Sequence, residues 1–73
     1  MQGWTKVYAS QVLIEVKLAE DVLKQNGIES HILQRPDSNF PSIGEAVLYV
    51  LDEKAELAQV ILGQNDILEQ NEF

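Results

Sequence analysis

Residues 4–9, WTKVYA, alternate with a period of two, so Trp4, Lys6 and Tyr8 point to one side of a strand and Thr5, Val7 and Ala9 to the other. The period then changes. Val12, Val16, Ala19, Val22 and Leu23 recur at spacings of three and four, with Glu15, Lys17, Glu20, Asp21 and Lys24 between them, which predicts a helix over 11–26 with Ser10 as its N-cap. Asn26-Gly27 would signal a hairpin if two strands flanked it; after a helical pattern, Gly27 is better placed as the left-handed residue that ends the helix. Residues 28–33 alternate again, with Ile28, Ser30 and Ile32 on one side and Glu29, His31 and Leu33 on the other. RPDSNFPSIGE, residues 35–45, has the composition of a loop, and AVLYVL at 46–51 is the continuous apolar run of a strand covered on both faces. Asp52 is the expected N-cap of a second helix over 53–62, which buries Ala55, Ala58, Ile61 and Leu62 and stops at Gly63.

The element order β-α-β-β-α leaves few topologies. A right-handed crossover in the first β-α-β unit, followed by a hairpin, places the third strand between the first two and both helices on one face. The expected fold is therefore α+β and ferredoxin-like, with an antiparallel sheet of three strands, or four if the tail adds one. A single domain over 1–63 is expected, followed by a tail at 64–73, polar and acidic, that forms a weakly ordered end or a short edge strand.

Parity then assigns the two faces of the sheet. If Val7, Ile28, Ile32, Leu48 and Val50 lie under the helices, the opposite face carries Trp4, Tyr8, His31, Leu33, Val47, Tyr49 and Leu51. A sheet face left to solvent is normally polar, whereas this one is apolar and aromatic, a patch larger than monomers usually leave uncovered. Covering each large side chain is worth ~1.5–3 kcal/mol, so the face is expected to be covered by the chain's own tail, a second copy or a separate partner. Phe40 joins this candidate surface. It sits in the 35–45 loop between Pro36 and Pro41, which stiffen the loop and reduce the entropy lost in presenting an aromatic ring.

Composition narrows the partners. The chain has 73 residues and no cysteine, which leaves self-association as the common means of stabilising so small a core. A net charge of −7 argues against nucleic acid and anionic membranes as partners. Much of the negative charge lies in the C-terminal part, where residues 45–73 hold seven acidic side chains and Lys54 as their one lysine or arginine. Absence of a signal-peptide pattern or of a run near ~20 apolar residues makes a cytoplasmic location the expectation.

Catalytic chemistry is not legible. The pairs Glu20-Asp21 and Asp52-Glu53 fall on helix surfaces or termini, where carboxylates are solvated or oppose the helix dipole. His31 has neither a cysteine nor an adjacent acid to orient it, no serine lies in a G-x-S-x-G turn, and the glycines build no phosphate-binding loop. No enzyme, cofactor or metal site is expected.

One resemblance adds to this picture. KVY (6–8) leading into a helix, LAEDVLKQNGIES (18–30) closing it at Gly-Ile, and GEAVLYVLDEKAELAQVIL (44–62) resemble a family of small bacterial domains described as prokaryotic signal-transducing proteins. That family is grouped with the ferredoxin-like domains of PII-type nitrogen regulators. The resemblance implies the same topology and, by analogy, a regulatory role. The nucleotide-binding loop of PII proteins has no counterpart here, so no ligand site is carried over. The chain is thus expected to be a small binding module, possessing no catalytic centre and self-associating as a dimer or trimer through its sheet face. The alternative is a small-molecule sensor with a site between the 35–45 loop and that face.

Overall fold

A computed structural model describes residues 2–36 and 44–65. Strand β1 (Trp4–Ser10), helix α1 (Leu13–Gln25), strands β2 (Ser30–Pro36) and β3 (Gly44–Leu51), a 3-10 turn at Asp52–Lys54 and helix α2 (Ala55–Gln64) follow in that order. The sheet order is β1-β3-β2 and both pairings are antiparallel. This is the expected α+β arrangement, a small domain of ferredoxin-like type with both helices against one face.

The core lies between that face and the helices. Leu48 and Val50 of β3, Val16, Ala19 and Leu23 of α1, and Ala58 and Leu62 of α2 are wholly buried, and no polar or charged residue is buried among those described. Helix α1 stops where Gly27 takes a φ of 77°. The Gly27 N–H bonds to the Lys24 carbonyl at 3.0 Å and the Ile28 N–H reaches back to the Leu23 carbonyl at 2.9 Å. This is a Schellman closure, and its apolar partners Leu23 and Ile28 both belong to the core.

Several boundaries differ from expectation, each for a local reason. Ser10 remains in β1. Its hydroxyl accepts the Val12 N–H at 3.0 Å and donates to Glu15 Oε1 at 2.6 Å, so it steers the chain into α1 from two residues outside the N-cap position, which Val12 occupies. Asp52 opens a 3-10 turn and accepts a hydrogen bond from the Thr5 hydroxyl at 2.6 Å, tying that turn to β1. Gly63 lies inside α2, and Asn65 closes the helix with its amide on the Ile61 carbonyl at 2.9 Å. The hairpin strands extend further than their apolar runs: Arg35 pairs with Glu45 and Pro36 with Gly44, so both ends of the presumed loop belong to the ladder. The tail from residue 66 lies outside the described residues.

Candidate functional site

The open face of the sheet is built by cross-strand rows. Lys6, Tyr49 and His31 form one row and Ala9, Val47 and Leu33 another; Trp4 pairs with Leu51, and Arg35 with Glu45. Side chains paired across an antiparallel ladder share a face, so Trp4, His31, Leu33, Val47, Tyr49 and Leu51 stand together opposite the helices. The Trp4 and His31 rings approach to 6.1 Å between centroids, tilted by 56°, across the β3 strand that separates them.

Tyr8 is the exception. The register slips between Lys6 and Tyr8: Lys6 pairs with Tyr49, but Tyr8 pairs with Leu48. Val7 is the extra residue of a β-bulge, and the bulge brings Tyr8 to the side of Val7, in the core under the helices. Strict alternation had placed Tyr8 on the open face; the inserted residue reverses its side. Its ring is buried, and among the described residues its hydroxyl meets no acceptor at hydrogen-bonding distance, with the Glu15 carboxylate nearby. Burial pushes the Tyr8 phenol upward from its ordinary pKa, and the nearby Glu15 carboxylate adds to the effect.

The open face is also less exposed than a bare sheet would be. Trp4, Tyr49 and Leu51 are partly buried, and Val47 is only 1% exposed; Leu33 and His31 are the members left most open. Phe40 lies outside the described residues. Among the described residues, most of the large aliphatic side chains left exposed are on the helices instead: Ile14 (61%), Leu18 (47%), Leu57 (49%) and Val60 (52%), with Val12 and Leu13 beside α1's start. Sequence periodicity missed this second surface, because Ile14 and Leu18 fall outside the stripe that packs on the sheet.

The two surfaces differ in charge. On the open face Lys6 and Arg35 stand with Glu45, beside His31. On the helical side Glu15, Glu20, Asp21, Asp52, Glu53 and Glu56 outnumber Lys17, Lys24 and Lys54. Among the described residues these groups have plain structural partners: His31 lies tilted beside Trp4, Asp21 accepts the Gln25 amide at 2.8 Å and Asp52 accepts the Thr5 hydroxyl. Among the described residues no three His, Cys, Asp or Glu side chains cluster as metal ligands, and no helix is long and apolar enough to cross a membrane.

Fold and face together define a small ferredoxin-like α+β domain with an aromatic sheet surface over which none of the described helices lies. No family model matches the chain, and no curated protein or solved structure is detectably similar to it.

Proposed function

We propose that this chain is a small interaction module without a catalytic centre, which self-associates through the open face of its sheet and serves a regulatory or signal-transducing role. The observation that carries the reading is the grouping of Trp4, Tyr49, Leu33 and Leu51 on the face opposite the helices, with no helix laid over it among the described residues. Apolar and aromatic side chains grouped in this way are the ordinary material of an interface centre, where aromatic anchors dominate binding. The regulatory half of the proposal rests on the resemblance of KVY, LAEDVLKQNGIES and GEAVLYVLDEKAELAQVIL to bacterial signal-transducing domains.

Size-exclusion chromatography with light scattering tests the first half. The wild-type chain is expected to rise above its 8.2 kDa monomer mass with concentration. Tyr49→Glu, at the centre of the face, should hold the chain at that mass while the circular dichroism spectrum stays native. A wild-type chain that stays monomeric at millimolar concentration contradicts the proposal.

A further inference from the structure

The exposed aliphatic side chains on the helices pose a question that the sheet face alone does not answer. Glu15 reaches Ser10 of β1, so the flank of α1 that carries Glu15, Leu18 and Val22 looks toward β1. Helix α2 also packs over β1 and against α1. Leu18 therefore stands at the outer margin of the seam between the helices, with Ile14 one turn before it on the outer side of α1 and Leu57 and Val60 exposed on α2. Asp21, held by Gln25, flanks this patch on α1, and Glu56 flanks it on α2. It is an aliphatic surface with an acidic rim. Across the molecule, the open sheet face is an aromatic surface with Lys6 and His31 at its centre row.

We infer that these two surfaces are halves of one interface: the helical layer of one copy covers the open sheet face of the next. The inference rests on the self-association proposed above and names the surface that meets the sheet. Charge is what decides between this arrangement and sheet-to-sheet packing. Pairing two open faces brings two copies of Lys6 to one interface, whereas helix-to-sheet packing sets Lys6 against Asp21 and Glu56. It also gives the sheet a helical cover on both faces, the usual means of burying an apolar sheet. An interface between two different surfaces does not complete itself in a pair, so the assembly is a ring or an open chain of copies, weakened by salt.

Two blocked variants test the inference. Tyr49→Glu spoils the sheet face and leaves the helical patch intact; Leu18→Glu with Val60→Glu does the reverse, at positions already open to solvent. Each alone is expected to be monomeric, with a native circular dichroism spectrum. Mixed in equal amounts, they should form a dimer of twice the 8.2 kDa mass, because one intact sheet face meets one intact helical patch. Lys6→Glu and Glu56→Lys, both at exposed positions, provide a second pair, each expected to weaken association several-fold. A helical-patch variant that still associates as the wild type does, while Tyr49→Glu does not, overturns this inference and leaves the sheet-face proposal standing. A mixture that stays monomeric overturns it too. Monomeric wild-type protein at every concentration removes both.

Discussion

The two faces of this sheet are made from the same three strands, and in β3 from alternate residues of one run, yet they have different physical fates. Leu48 and Val50 are sealed under α1 and α2, while Tyr49 between them and Leu51 beyond are only partly covered on the other side. Burial under the helices requires only apolar bulk of the right size. The open face adds what a core does not need, a tryptophan, a histidine and a lysine around a tyrosine. On the proposed reading, a side chain on the first face acts chiefly on stability, and one on the second acts chiefly on association.

The sharpest way to break that division is at the bulge, where Lys6 and Tyr8, two residues apart, lie on opposite faces. Tyr8→Glu would set an unpaired carboxylate in the core beside Glu15 and is expected to cost about 3–5 kcal/mol in urea unfolding. Lys6→Glu, two residues earlier on the exposed face, should stay within about 0.5 kcal/mol in monomeric conditions. Equal costs would mean that Tyr8 is not turned inward. Next in size, Leu48→Ala should lose about 2–5 kcal/mol, because its site is closed on all sides and leaves a cavity. Leu33→Ala, at 38% exposure, should lose under about 1 kcal/mol in dilute solution, and a larger loss there would show the open face to be core.

The smallest effect is the most specific. Tyr8→Phe removes a buried hydroxyl that finds no partner among the described residues, so stability near neutral pH should be unchanged or raised by up to ~1 kcal/mol. The raised phenol pKa fixes the sign at alkaline pH. The folded chain holds the proton more tightly than the unfolded one, so the associated stability is complete below a pH of about 10 and falls as pH climbs from there through the folded pKa. Thermal melts of Tyr8→Phe at pH 9 to 11 should show a shallower decline than wild type; parallel declines would mean that Tyr8 contributes nothing to it.

Much of this architecture was legible in the chain because its local signals agree. The changes of period near Ser10 and Gly27 mark real transitions, β3 begins two residues before its expected start at Ala46, and the Asn26-Gly27 step closes a helix as its context required. Six of the seven residues expected on the open face stand there, Trp4, His31, Leu33, Val47, Tyr49 and Leu51. Tyr8 does not, because a bulge is a one-residue change of register that leaves composition untouched; adjacent Val7 and Tyr8, both apolar, were its only trace. Phe40 lies outside the described residues. Gly63 misled because a glycine is tolerated within a helix when packing around it is good, and Leu62 beside it is wholly buried. The aliphatic patch on the helices escaped notice because helical periodicity finds the buried stripe and counts the remaining residues as surface.

Trp4 offers the most direct measurement of the central claim, since it is the chain's single tryptophan and stands on the open face against His31. Its emission and its quenching by acrylamide should be followed from micromolar to millimolar protein, alongside the solution mass. If the open face is the surface covered on association, emission shifts to shorter wavelength and quenching falls as the mass rises, and neither changes in Tyr49→Glu. A rising mass with Trp4 still as accessible as in the dilute monomer would contradict the account and place the interface elsewhere.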